Sequence, residues 1–203
     1  SSTGRKVKVG LANYGTAVLE DVAFQSGKYD IWTINNRGSL TLKGSTTVET
    51  GANSDPSDNP DLTRAAINNT PYNYYYDVVN ATINVADAGV KVGKIVLNDE
   101  SISSTTNING KAELNISAGT FGEISETKPG NGIIGSISGG TFASAVKEDY
   151  CAEGFIPAAN DDGTYGVKQG AYVAEIDGVK YESLQDAVDA VQDGETITIL
   201  KDV

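Results

Sequence analysis

The feature that most narrows what this chain can fold into is a short-period self-similarity. Ile116-Ser117-Ala118-Gly119-Thr120-Phe121 recurs 21 residues later as Ile137-Ser138-Gly139-Gly140-Thr141-Phe142, with five of six positions identical. Near the start, Asn13-Tyr14-Gly15-Thr16-Ala17-Val18-Leu19 lines up with Asn36-Arg37-Gly38-Ser39-Leu40-Thr41-Leu42 at an offset of 23, sharing Asn, Gly and Leu and setting Thr against Ser. Asn109-Gly110-Lys111-Ala112-Glu113-Leu114 repeats the pattern of a turn followed by a strand, and Ala81–Val85 and Lys94–Leu97 read as further short strands. A unit this small cannot bury its own apolar face, so successive units must stack. Stacking predicts that Leu19, Leu42, Ile83, Leu114 and Ile116 line an interior column while neighbouring units pair as parallel strands. It also predicts that Asn and Gly sit at the corners because both tolerate a left-handed backbone. An antiparallel sandwich is the alternative that short alternating strands at this spacing leave open.

Composition agrees with a strand-and-turn protein. Val and Ile far outnumber Leu, and Gly, Thr, Asn and Ser together make up 73 of the 203 residues, the usage expected of pleated surfaces joined by tight turns. The net charge of −12 argues against a nucleic-acid backbone or an anionic membrane as partner. Histidine is absent, which removes Ser-His-Asp and Cys-His catalysis and His-ligated zinc. One cysteine, Cys151, excludes an internal disulfide, and no apolar run approaches the roughly 18 residues of a membrane-spanning helix. The lack of methionine reads as a segment excised from a longer precursor, and the cysteine-poor, Thr/Asn/Gly-rich composition suits the outside of a bacterium. Asn80-Ala81-Thr82 and Asn115-Ile116-Ser117 are glycosylation sequons only in a host that uses them.

The last quarter differs in kind. Phe155–Ala159 and Thr164–Val167 flank Asn160-Asp161-Asp162-Gly163 and predict a hairpin. Val173–Ile176 and Val179–Tyr181 flank Asp177-Gly178 and predict a second. Ser183 reads as the N-cap of a helix whose stripe is Leu184, Ala187, Val188 and Val191, ended at Asp193-Gly194 and followed by a strand over 195–200. Three parts follow: stacked units over 1–145, a hairpin connector over 146–170, and a ββαβ element over 171–203.

Ile137–Phe142, Tyr150-Cys151-Ala152-Glu153-Gly154-Phe155, Asp162-Gly163-Thr164-Tyr165 and the run Tyr181–Val203 together resemble repeat-bearing surface proteins of gut anaerobic bacteria. The likeness is close over 112–203 and extends upstream only as a pattern of repeated units. It implies an all-β, right-handed parallel β-helix with the hairpin and ββαβ element at its C-terminal side. It also implies an extracellular, cell-surface location and a role in display or attachment rather than a chemistry. In such proteins the segment matching 172–203 opens a new module, its helix capping the stack. Here it comes last, which predicts either a longer array or pairing of the final strand end to end with a neighbouring molecule.

No residues are assigned to catalysis, and no cofactor is expected. Glu20-Asp21, Asp99-Glu100, Glu148-Asp149 and Asp161-Asp162 are neighbouring acids at turns, and nothing in their spacing selects two for the acid and second carboxylate of glycoside cleavage. Arginine is limited to Arg5, Arg37 and Arg64, and Arg37 at a corner reads as solvated. Asp55, Asp58 and Asp61 in a Pro-containing loop are the oxygen-rich candidates for calcium, although the spacing is not that of an EF-hand and a solvated loop is the plainer reading. Tyr72, Tyr74, Tyr75 and Tyr76 are the candidates for a sugar-binding platform, with packing against the stack as the plainer reading. Cys151 reads as a small buried residue, and Trp32 as a core or groove aromatic.

The expectation is a non-catalytic structural or adhesive module of a bacterial surface, meeting glycans or host surface proteins but neither nucleic acid nor the membrane interior. The alternative is a polysaccharide-binding or polysaccharide-cleaving module. A groove lined by tyrosines and paired acids favours that alternative, and an even Thr/Asn-covered exterior favours the spacer.

Overall fold

The computed structural model describes residues 8–26, 30–50, 64–74, 77–97, 110–127 and 132–201. The chain runs through three strands, turns, and begins again. The first circuit is β1 (Lys8–Asn13), β2 (Thr16–Glu20) and β3 (Ala23–Gln25), and the second is β4 (Asp30–Asn36), β5 (Ser39–Lys43) and β6 (Thr47–Glu49). The third begins with β7 (Ala65–Asn69), is interrupted by an antiparallel hairpin of β8 (Tyr72–Tyr74) and β9 (Asp77–Val79), and resumes with β10 (Ala81–Val85) and β11 (Lys91–Val92). The fourth is β12 (Ile95–Leu97), β13 (Ala112–Ile116) and β14 (Thr120–Phe121), and the fifth is β15 (Ile124–Glu126), β16 (Ile133–Ile137) and β17 (Thr141–Phe142).

Each strand pairs in parallel with its counterpart one circuit before and after, which makes three sheets: A (β1-β4-β7-β12-β15), B (β2-β5-β10-β13-β16) and C (β3-β6-β11-β14-β17). The protein is therefore mostly β, built on parallel sheets. Both sequence repeats are this register. Asn13 pairs with Asn36 and Leu19 with Leu42, while Ile116 pairs with Ile137 and Phe121 with Phe142.

Parallel pairing puts like side chains in columns along the stacking direction. Leu19, Leu42, Val85, Ile116 and Ile137 form one inward column of sheet B, and Ala17, Leu40, Ile83, Leu114 and Gly135 form a second. The five residues expected in one interior column thus divide between two, because alternate residues of a strand face the same side. Leu42, Ile83, Leu114 and Ile116 are completely buried, and Leu19 in the first circuit packs on them half-buried. Sheet C contributes Phe24, Val48, Val92, Phe121 and Phe142, the last two stacked with ring centres 5.1 Å apart. Trp32 is fully buried in a separate cluster with Ile31, Ala65 and Val96, in keeping with a core aromatic.

The corners work differently from the sequence expectation. Among described non-glycine residues only Asp21 and Asp177 have positive φ. Asn13, Asn36 and Asn69 instead end the sheet A strands with buried side chains joined into a ladder. Asn13 Nδ2 donates to Asn36 Oδ1 at 2.8 Å, and Asn36 Nδ2 donates to Asn69 Oδ1 at 2.7 Å. Gly38 is required for proximity, since a Cβ there meets the carbonyl oxygen of Gly15 at 2.2 Å. Gly119 and Gly140, stacked at the start of β14 and β17, do adopt φ near +100° and fit the left-handed role. Arg37, expected to be solvated, is only 5 % exposed. Its corner stacks directly on that of the first circuit, its N–H donating to Asn13 O at 2.7 Å, and the stacking takes the residue out of water.

The far end is closed. A single 3₁₀ turn, Glu148–Tyr150, lies on the fifth circuit, where Gly135 leaves room: a Cβ there meets the Asp149 carbonyl oxygen and Tyr150 Cα at 2.4 Å. Tyr150 is 2 % exposed, and Cys151 forms a parallel bridge to Ile137. The hairpin of β18 (Phe155–Ala159) and β19 (Tyr165–Gln169) extends sheet C, with Tyr165 opposite Phe142 in antiparallel sense. Beyond it β20 (Ala174–Ile176), β21 (Val179–Tyr181) and β22 (Thr198–Ile199) form a small antiparallel sheet packed on α1 (Leu184–Ala190). Ser183 caps α1, its side chain accepting from the Asp186 N–H.

Candidate functional site

The outward face of sheet B carries the most regular polar surface of the described residues. Register places Val18, Thr41, Asn84, Asn115 and Ser136 in one outward column, spaced by the ordinary strand separation of about 4.8 Å. Asn115 Nδ2 donates to Asn84 Oδ1 at 3.0 Å, and Asn84 Nδ2 reaches Ser39 Oγ at 3.4 Å and Thr41 Oγ1 at 3.5 Å. A shallow groove of about 340 Å³ runs beside this column, bounded by Lys43 and Asp87 and continued by Ser117 and Ser138. Asp87 is held in place by the Gly44 N–H at 2.7 Å. The neighbouring column contains Thr82 and Glu113, and Glu113 accepts from the Thr82 hydroxyl at 2.9 Å and from Asn80 Nδ2. Asn80 of the first sequon is therefore committed to the fold, its Oδ1 also accepting the Lys111 N–H.

Chemically this face offers neutral amides and hydroxyls in register. It can hydrogen-bond an extended polar partner or simply hold water. Two of the carboxylates near turns, Asp21 and Asp162, serve those turns. Asp21 accepts from both the N–H and the hydroxyl of Ser45, and these bonds hold its carboxyl below the usual range. Asp162 is lowered in the same way by the hydroxyl and N–H of Thr164. A carboxyl held ionised by donors is poorly suited to deliver a proton near neutral pH. Glu148 is engaged by Lys180 at 2.6 Å.

The sequence-based candidates fall elsewhere. Tyr72 and Tyr74 lie on β8, in the hairpin between sheets A and B, while Tyr75 and Tyr76 lie outside the described residues. Asp55, Asp58 and Asp61 also lie outside them, as do Asp99 and Glu100. Among the described residues no group of three or more Asp, Glu or Cys side chains is placed to hold a metal ion. Cys151 is half-buried rather than buried, its Sγ 3.6 Å from the Lys147 carbonyl. The Thr41, Asn84, Asn115 and Ser136 column was missed by the sequence reading. Its signal is present, because Ala81-Thr82-Ile83-Asn84-Val85 and Ala112-Glu113-Leu114-Asn115-Ile116 share a pattern at an offset of 31.

Comparison of the chain with protein-family models, with curated proteins and with solved structures finds no match in any of the three.

Proposed function

We propose that the three parallel sheets form a right-handed parallel β-helix and that the chain is a non-catalytic structural or adhesive module of a bacterial cell surface, extracellular and in contact with glycans or host surface proteins. The observation that carries this reading is the outward face of sheet B, where Thr41, Asn84, Asn115 and Ser136 stand in register across four successive circuits. Stacked circuits tied by strand hydrogen bonds make a stiff spacer, because deforming one circuit disturbs both neighbours. The acid excess keeps such a surface hydrated and discourages self-association. A second reading, polysaccharide binding, is favoured by the groove beside Asn84 and Asn115, whose neutral hydrogen-bonding groups suit a hydroxyl-rich, uncharged polymer.

Native electrophoresis through gels cast with individual plant, mucin and microbial polysaccharides, with millimolar calcium, tests both. A structural spacer expects unchanged mobility and intact polymer, whereas an adhesive module that meets glycans expects retardation with the polymer intact. Retardation that disappears in N84A/N115A establishes binding at sheet B. Retardation that survives this change but disappears when the tyrosines of 72–76 are replaced moves binding to the hairpin. Loss of polymer overturns the non-catalytic reading.

A further inference from the structure

The apolar residues of the C-terminal element form their own cluster: Ala174, Ile176 and Ala187, with Val173, Tyr181, Leu184, Val191 and Ile197 packed on them. None of these belongs to the interior cluster of the three-sheet body. The backbone bonding divides at the same place. Gly170 N–H donates to Gly154 O on the body side, whereas Val173 N–H donates to Tyr181 O and Val173 O accepts from Leu200 N–H within the element. Between them stand Ala171 and Tyr172, in neither strand nor helix.

Charged side chains bridge the two parts. Lys180 Nζ, on β21, meets both oxygens of Glu148 at 2.8 and 2.6 Å, and Lys168 at the end of β19 meets Glu182 at 2.7 Å. Lys180 also lies 5.5 Å from the centre of the Tyr172 ring. All four charged side chains are at least a third exposed, so these contacts are screened by salt, as the packing of a shared core is not. A cleft of about 370 Å³ lies at the junction, where Phe155, Ile156, Tyr172 and Leu200 face it alongside the charges.

We propose that Ala171 and Tyr172 are a hinge, and that the Glu148–Lys180 and Lys168–Glu182 pairs latch the C-terminal element against the end of the body, so that rising ionic strength releases it. Release opens the junction cleft while leaving both apolar clusters intact, since neither is shared. The orientation of whatever the element contacts is then set by salt rather than by folding.

Chymotrypsin cleavage of the intact chain after Tyr172 reads this directly, with hydrolysis of a small tyrosine ester followed in parallel to normalise for the protease's own response to salt. Raising NaCl from 20 mM to 1 M is expected to speed cleavage about fivefold, the shift that two exposed pairs of ordinary strength allow. E148Q/E182Q is expected to be cleaved at the fast rate at both salt concentrations with an unchanged melting temperature of the body. The charge swap E148K/K180E is expected to restore slow, salt-sensitive cleavage. A normalised wild-type rate that does not rise with salt overturns the latch and leaves the element held by packing. Should E148Q/E182Q fail to fold, the wild-type salt series decides alone.

Discussion

At the scale of single residues the asparagines do more than turn corners. Asn36 sits at the centre of the buried ladder, accepting from Asn13 and sharing its two amide hydrogens among Asn69 Oδ1 and the carbonyls of Gly38 and Thr82. Asn36→Ala leaves several buried partners short of a bond in a low-dielectric setting, which costs about 2–4 kcal/mol. Chemical denaturation with the slope unchanged and the midpoint lowered is the expected result. Cys151 gives the clearest pH dependence: burial first, and the nearby Glu148 charge second, push its thiol up to about 11. The native state therefore favours the neutral thiol. Its contribution to stability is complete below the unfolded thiol's value of about 8.5 and is lost as pH rises through about 11. Alkylation of the native protein at pH 7.5 should run roughly a hundredfold slower than in urea, because the thiolate is the nucleophile. A native rate equal to the unfolded rate rejects this account.

At the scale of elements, the closed end depends on a missing side chain. The inward column Ala17, Leu40, Ile83, Leu114 ends at Gly135, and Tyr150 with its 3₁₀ turn occupies the space a side chain would take. Gly135→Ala should lift that turn, costing about 1–3 kcal/mol. Hydrogen exchange is expected to quicken at the Tyr150, Cys151 and Ala152 amides, which bond Lys147, Glu148 and Ile137 carbonyls, and to stay unchanged in β5. Both C-terminal hairpins and the capped helix were legible in the sequence because their signals are local: Asp-Gly at Asp177-Gly178 and Ser183 bonding three residues ahead. The closing strand was read too long, over 195–200 against the observed Thr198–Ile199, since its pairing is decided by β20 rather than by its own alternation. The role of Gly135 was invisible, because its reason lies 15 residues away in Tyr150.

At the scale of the whole molecule, the two repeats in the sequence are one stacking register seen at the two ends of the body. They look unrelated because the circuits between them are longer. Ile34 to Ile67 to Ile95 is one inward column of sheet A, yet its steps are 33 and 28 residues, against the 21 of Leu114 to Gly135 in sheet B. Insertions such as the β8–β9 hairpin hide the period without breaking the pairing. That the chain is β-rich, repeats its strands and ends in a locally coded hairpin-helix unit was determined by periodicity and turn chemistry, which act between residues close in sequence. Which residues share a column, which asparagines ladder inward and which present the Thr41, Asn84, Asn115 and Ser136 face, and that Arg37 is buried, were decided only by tertiary structure. The physical reason is that each depends on the register between successive circuits. One step of that register brings together residues 21 to 44 apart in the chain, and only the packed stack sets it.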